Sequence, residues 1–299
     1  MISGSLRSVK SQIAYAGRVA ARRQLAAWKR THSRAPSHGP IRPGAYTWRR
    51  FAPAYDRVAL SIAAFEGTQL FGAFSSSKYD AYLAACITAG GGLDDCAKGL
   101  GTTATNVAKD YFSEKERRGM TLFMGENNND GQLDEAEGAM CAACHVSEWT
   151  SAADYELPVQ VPVWAPDGMV PPVFTDFTFD NLGVPKNSEY PIENASLDLG
   201  LGPIVDDPGE NGKFKAMTVR NIDLTAPYAH NGLFETLEEI VHFYNTRDVP
   251  AALTGQRDWP KPEYPATANT DELGNIGLSN ADEKALVAFM KTLSDGYTP

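Results

Sequence analysis

Five consecutive residues, Cys141-Ala142-Ala143-Cys144-His145, carry the strongest chemical signal in the sequence. A Cys-x-x-Cys-His run is the covalent attachment signature of a c-type haem, in which two sulfurs add to the vinyl groups and the imidazole binds the iron. A redox dithiol or half of a zinc site is the alternative, but the sequence has no second cysteine pair at ligand spacing. The run therefore predicts one covalent haem c, with His145 as the proximal iron ligand.

A second candidate site precedes the haem motif and consists of oxygen-bearing residues around Gly131. With this glycine at position 6, the segment matches an EF-hand calcium loop. The candidate ligands are Glu126, Asn128, Asp130, Gln132, Asp134 and Glu137. Glutamate stands at position 1, where aspartate is usual, and an acidic, asparagine-rich surface turn is the alternative. The segment predicts a possible calcium site.

Arg220 is a candidate partner for a haem propionate, because a guanidinium group matches a carboxylate through two parallel hydrogen bonds. A surface ion pair explains the same residue equally well.

Cys86 and Cys96 lie in a glycine-rich stretch. In an oxidising compartment we expect them to form a disulfide, which contributes about 2–3 kcal/mol in the loop-entropy description. Two free buried thiols are the alternative.

The charge of the chain is divided unevenly. Residues 1–50 carry eleven Lys/Arg and no Asp/Glu, so the rest of the chain holds 16 basic and 37 acidic residues, a formal charge of −21. Such an acidic body disfavours nucleic acid and favours a basic redox partner through electrostatic steering. The opening stretch resembles a transit peptide in composition but has no apolar secretory core, and no run of apolar residues is long enough to span a membrane.

The sequence predicts that the elements positioning these residues are helices. Capping boxes begin at Ser113 and Thr236, and a further capped helix begins at Ser279. The first and last of these helices bracket the haem motif and can cross at a small residue such as Gly119, as in a small cytochrome c domain. An earlier run places Val58 and Ile62 at the spacing of a buried helix. Residues 151–215, rich in Pro, Asp and Gly, predict a long wrapping segment. The fold class is therefore all-α.

In the helix that begins after Thr236, Tyr244 shares a face with Leu237 and Val241, and we expect it to point inward. His242 points largely away from that face. By periodicity alone Tyr244 is an ordinary core tyrosine rather than a ligand.

From about Val58 to the C-terminus the sequence resembles the bacterial dihaem cytochrome c peroxidase and MauG family. The resemblance lies in Cys141 to His145, in the stretches 213–221 and 237–245, and in Thr225-Ala226-Pro227-Tyr228 with His230 and Gly232. It implies two cytochrome c domains, the first holding the peroxide-reactive haem and the second an electron-relay haem with two axial ligands. His145 corresponds to the proximal ligand of the second haem.

The resemblance also implies further site residues. Tyr244 corresponds to a position that is Met in the peroxidases and Tyr in MauG-type enzymes, which makes it the expected distal iron ligand. Met217, which stands where the family has Pro, and His230 are rival distal ligands. An inter-haem calcium ion would be bound partly through the carbonyls of Thr225 and Pro227.

On this basis residues 1–110 are a basic segment followed by the remnant of a first, haem-less helical domain, and residues 111–299 are a cytochrome c-like haem domain. We expect a haem oxidoreductase of the periplasm or another exported location, in which peroxide is reduced at a first haem whose attachment motif has no match here. The donor would be a small cytochrome c or cupredoxin, and hydrogen peroxide or a protein would be the substrate. A monohaem electron-transfer protein without peroxidase activity is the alternative.

Overall fold

The computed structural model describes residues 57–58, 61–62, 75–125, 138–154, 161–189, 197–254 and 258–298. The chain divides into two compact units, Met1–Gly72 and Ala73–Pro299. In the first unit the described residues are helical, but Val58 and Ile62, expected on a buried face, are 57% and 53% exposed. Apolar spacing indicates which residues share a helix face and leaves open whether another element covers that face.

Helices provide most of the regular structure in the described part of the second unit. They are α1 (Lys78–Thr88), α2 (Leu93–Lys98), α3 (Gly101–Tyr111), α4 (Glu114–Met124), α5 (Gly202–Val205), α6 (Leu237–Thr246), α7 (Ala251–Thr254) and α8 (Asn280–Lys291). Short 3-10 turns lie at Cys141–Ala143, Ala152–Asp154, Pro208–Glu210 and Ile222–Leu224.

Two short antiparallel ribbons add to the helices, so the expectation of a purely helical fold is only partly correct. Strand β1 (Thr150–Ser151) pairs with β2 (Met169–Val170), and β3 (Phe179–Asp180) pairs with β4 (Phe214–Lys215). Both ribbons lie within the segment predicted to wrap as loops. Buried backbone N–H and C=O groups need partners, and short strand pairing supplies them where no helix forms.

The predicted helix starts are confirmed by their caps. The Ser113 side chain accepts from the backbone N–H of Glu116, and the Glu116 carboxylate accepts in return from the N–H of Ser113. Thr236 and Glu239 form the same reciprocal box at α6. Ser279 caps α8 by accepting from the N–H of Asp282. These caps satisfy donors that the first turn of a helix leaves without intrahelical partners.

Helices α4 and α8 cross at Gly119, as the sequence predicts. A Cβ atom at this position would overlap the backbone carbonyl of Ala285 and lie 2.8 Å from the Cβ of Phe289. Glycine therefore allows the two backbones to approach directly. The crossing lies 22 residues before Cys141 in the chain, and α4 also contacts the turn at Cys141–Ala143.

Helices α1 to α3 pack into the same compact unit as the haem motif. Fully buried aromatic rings join them to α4, α8 and the loop at residue 174; these rings are Tyr79, Tyr82, Phe112, Phe123, Phe174 and Phe289. Whether residues 75–110 descend from a first haem domain, as the predicted boundary at residue 110 assumes, stays a prediction. Within the described residues no helix is both long and apolar enough to cross a membrane.

Candidate haem-binding site

The attachment motif forms a tight turn. Cys141–Ala143 is one 3-10 turn, entered through Met140 in the left-handed region at φ 55°, and the N–H of His145 donates to the carbonyl of Cys141 at 2.9 Å. Cys141 and Cys144 are free thiols, each half-buried. Burial raises the pKa of both thiols to about 12. Both sulfurs are therefore neutral thiols at neutral pH.

His145 is held through one ring nitrogen. Its Nδ1 lies 3.2 Å from the backbone carbonyl oxygen of Phe174, a hydrogen bond when Nδ1 carries the proton. Burial lowers the pKa of His145, although the carbonyls of Phe174 and Met217 and the Asp176 carboxylate act in the opposite direction. The imidazole is therefore neutral near pH 7, which is the form that binds a metal. With the proton on Nδ1, the lone pair of Nε2 is available.

Tyr244 lies near the two thiols. It is partly buried on α6 and packs against the core, and its backbone carbonyl accepts from the N–H of Gly274 at 2.6 Å. Burial raises its pKa above the ordinary value for tyrosine, and the nearby thiols of Cys144 and Cys141 act in the same direction. The Tyr244 phenol is thus near enough to both thiols for them to influence its pKa, and its role as the distal ligand stays a prediction.

The two rival residues make other contacts. The Met217 side chain is 60% exposed, although its carbonyl lies close enough to the His145 ring to influence the pKa of that histidine. His230 stacks on Phe214 with ring centroids 3.8 Å apart, and its Nε2 lies 3.2 Å from a carboxylate oxygen of Glu263. The His230 ring is therefore held by its stack on Phe214 and by its contact with Glu263.

Arg220 lies in the core and not on the surface. Its Nη1 donates to both carboxylate oxygens of Asp80 at 3.0 and 3.1 Å and to the Ser77 hydroxyl at 3.2 Å, and its Nε donates to the carbonyl of Pro172 at 2.9 Å. Its Nη2 is buried without a hydrogen-bond partner among the described residues. Arg220 therefore forms an ion pair, as the alternative expected, but the pair is enclosed in the core and does not lie on the surface. A contact between Arg220 and a haem propionate stays a prediction.

The remaining predicted sites fall into three groups. The candidate calcium loop, residues 126–137, lies outside the described residues. Thr225 and Pro227 are exposed, and the peptide bond between Ala226 and Pro227 is cis. Cys86 and Cys96 form a disulfide with Cα atoms 5.9 Å apart, which joins α1 to α2.

Sequence reasoning missed an acidic group beside the motif. The Cys144 sulfur and carboxylate oxygens of Asp180 and Glu272 lie within 4.8 Å of one another. Asn269 bridges the two acids, donating to Asp180 at 2.5 Å and to Glu272 at 2.8 Å. The three residues are 36 to 128 positions apart in the sequence, so no local pattern could have joined them.

The donor set fits a covalently bound haem. Two thiols that are not bonded to each other stand beside an imidazole whose Nδ1 is directed at a backbone carbonyl, which is the arrangement that orients Nε2 toward a metal. The Tyr244 phenol, whose pKa both sulfurs influence, would supply an oxygen ligand to the same metal.

Comparison with known proteins agrees with this chemistry. The methylamine utilization protein MauG of Paracoccus denitrificans is 27% identical over 259 residues, 81% of this chain and 52% of the relative. The cytochrome-c peroxidase IdrP2 of Pseudomonas sp. (strain SCT) is 30% identical over 202 residues, 68% of this chain and 43% of the relative. By these matches the chain is similar to MauG and to the cytochrome-c peroxidases.

The match is partial in length. The chain spans about half the length of these curated relatives. A solved MauG-like protein associated with microbial copper homeostasis is 26% identical, with a TM-score of 0.42 over 74% of this chain and 52% of that one. No family model matches the sequence. Cys141, Cys144 and His145 form the one Cys-x-x-Cys-His run of this sequence.

Proposed function

We propose that this chain is a c-type haem oxidoreductase of the MauG and dihaem peroxidase family, and that the haem it carries is the electron-relay haem. Cys141 and Cys144 would bind the haem covalently, and His145 and Tyr244 would be its axial ligands. The observation that supports this assignment most directly is the 3.2 Å contact between His145 Nδ1 and the Phe174 carbonyl. That contact fixes the tautomer in which Nε2 can bind iron.

The haem, once bound, supplies one-electron oxidation and reduction. The protein residues determine how this capacity is used. His145 presents Nε2, and the Phe174 carbonyl prevents the ring from rotating and increases its basicity. Tyr244 would be the second protein ligand of the haem iron, and peroxide would then not bind at this haem. An anionic oxygen ligand favours the oxidised state and lowers the potential relative to methionine.

The raised pKa of Tyr244 is consistent with this role. Burial and the neighbouring thiols keep the phenol protonated in the metal-free protein. A bound metal would be the largest local charge and would favour the phenolate form of Tyr244.

Peroxide reduction would then take place at another haem. The 299 residues contain no second Cys-x-x-Cys-His run that could attach it. A small cytochrome c or cupredoxin is the proposed donor, and hydrogen peroxide or a protein is the proposed oxidant or substrate. The acidic body of the chain favours a donor with a basic surface. The Cys86–Cys96 disulfide and covalent haem attachment both support a periplasmic or otherwise exported location.

Calcium is a separate part of the proposal. Residues 126–137 supply the oxygen ligands of an EF-hand-like loop, and the exposed carbonyls of Thr225 and Pro227 could bind a second ion at a domain boundary. Isothermal titration of the chelator-treated, haem-loaded protein tests this. Heat from one or two calcium ions per chain is expected, and the part that comes from residues 126–137 should be lost when Asp130 and Asp134 become Asn. Absence of heat in the unaltered protein contradicts the proposal.

Haem attachment is tested by producing the chain together with a c-type haem maturation system and measuring haem per polypeptide. We expect one covalent haem, lost when Cys141 and Cys144 are both replaced by serine. Tyr244→Phe should keep the haem, change the ferric spectrum and raise the reduction potential. Tyr264→Phe, which alters another tyrosine of the same unit, is the matched control.

Two outcomes would contradict the proposal. A ferric spectrum unchanged in Tyr244→Phe would remove Tyr244 as the ligand and leave Met217 or His230. Rapid peroxide turnover by the unaltered chain, with one haem per polypeptide and a c-type donor, would show that this haem is itself the peroxide site and not a relay.

A further inference from the structure

The carbonyl that orients His145 belongs to a residue in an unusual conformation. Phe174 has φ 55°, in the left-handed region that bulky side chains rarely occupy, and its side chain is completely buried. A residue persists in this region only where its surroundings over-determine it. The groups that surround residues 172–175 therefore decide where the Phe174 carbonyl points.

Side chains from a second segment bind the carbonyls on either side of this position. The Thr218 hydroxyl donates to the carbonyl of Val173 at 2.5 Å, and Arg220 Nε donates to the carbonyl of Pro172 at 2.9 Å. The Arg220 backbone N–H in turn donates to the Thr218 oxygen at 3.1 Å. Two consecutive carbonyls are thus directed toward residues 218–220, and the third, at Phe174, is directed toward His145.

The ring of Phe174 is fixed as firmly as its backbone. It packs edge-on against Tyr79 and Phe123, with ring centroids 5.3 and 5.8 Å apart, and the Arg220 guanidinium lies 5.3 Å above its centroid. Asp80 in turn anchors that guanidinium from α1. The Phe174 side chain is thus held by rings from α1 and α4 and by the guanidinium of Arg220.

We propose that Thr218 and Arg220 are positioning residues that hold the Phe174 carbonyl on His145 Nδ1 and thereby set the reduction potential of the haem that His145 binds. This inference rests on the proposed function, because it requires His145 to be an iron ligand. A strong hydrogen bond from Nδ1–H makes the imidazole more basic, which stabilises the oxidised metal. If the Phe174 carbonyl is held less firmly, its hydrogen bond with Nδ1–H weakens and the reduction potential of the haem rises.

Thr218→Val is the most direct test, because valine keeps the shape of threonine and has a methyl group in place of the hydroxyl. We expect a haem-loaded variant with an intact spectrum, a higher reduction potential, and exchange of the Nδ1 proton with water about tenfold faster, the change expected for losing one ordinary hydrogen bond. Thr218→Ser restores a hydroxyl and should return both quantities toward those of the unaltered protein.

Thr178→Val is the matched control. Thr178 is an exposed threonine four residues after Phe174. Its hydroxyl donates to Asp176 rather than to a backbone carbonyl of residues 172–175. Its replacement should leave the potential unchanged. Arg220→Lys is a second variant, which keeps the charge but loses the fixed fork that reaches Pro172 and Asp80 together, and it should also raise the potential.

The outcomes separate this proposal from the one on which it rests. If the unaltered chain takes up no haem, or takes it up without histidine ligation, the proposed function is wrong. If haem binds through His145 and Thr218→Val folds with an unchanged potential and an unchanged Nδ1 exchange rate, the positioning role is wrong and the haem assignment stands. An equal shift in Thr178→Val would also overturn the positioning role.

Discussion

Replacing Gly119 by alanine probes the crossing of α4 and α8 in the unit that contains the attachment motif. The added Cβ would lie 2.5 Å from the carbonyl carbon of Ala285 and 2.8 Å from the Cβ of Phe289. Ordinary contact begins at 3.4 Å, so α8 would have to withdraw by roughly 1 Å. Because the crowded atoms belong to the α8 backbone and to a fully buried phenylalanine, no flexible side chain can move aside.

The magnitude follows from two opposing effects. Overpacking a close-packed core costs about 1–3 kcal/mol, and a backbone clash belongs at the upper end of this range. Alanine has a higher helix propensity than glycine, which returns about 1 kcal/mol. We therefore expect the free energy of unfolding to fall by about 2 kcal/mol, equivalent to a melting temperature about 4–8 °C lower for a unit of this size.

Urea denaturation followed by circular dichroism measures this change, with Gly92→Ala as the control. Gly92 has an ordinary φ of −66°, and a Cβ there would meet only the Asp95 side chain at 3.4 Å. Its replacement should change the free energy of unfolding by less than about 1 kcal/mol. If Gly119→Ala were as stable as the unaltered protein, or more so, the direct backbone contact between α4 and α8 would be wrong.

Three further changes test the rest of the unit. Burial acts to raise the pKa of Asp295, but hydrogen bonds from Ser76 and Asn221 outweigh it and hold the pKa below its usual range. Asp295→Asn should therefore cost about 1–2 kcal/mol at neutral pH, a difference that disappears as the pH falls through the folded-state pKa and that denaturation at a series of pH values will detect. Replacing both disulfide cysteines by serine should cost about 2–3 kcal/mol, and the unaltered protein treated with reductant should unfold at the same denaturant concentration as this variant. Arg220→Met should cost about 3–5 kcal/mol because the Asp80 carboxylate would be buried without its partner; adding Asp80→Asn should recover part of the loss, and additive effects of the two changes would contradict the ion pair.

Local sequence patterns identified the elements of this protein that depend on neighbouring residues. The capping boxes at Ser113 and Thr236 identified helix starts because the hydrogen bonds that cap a helix join residues three apart. The attachment motif predicted the cofactor because two thiols and an imidazole on one turn are the groups that attach a c-type haem. Gly119 was identified as the crossing point because only a small residue between two apolar helix faces permits close approach.

Only the tertiary structure decided how the motif is supported. The contact between His145 and the Phe174 carbonyl spans 29 residues, and the pair of Arg220 with Asp80 spans 140. A backbone carbonyl has no sequence signature, and the partner of a buried charge depends on which distant segments the fold brings together. The sequence by itself was sufficient to predict that this chain binds a haem through Cys141, Cys144 and His145. The fold determined which groups orient His145, because those groups lie on segments that meet only when α1 and the loops around residues 174 and 218 pack together.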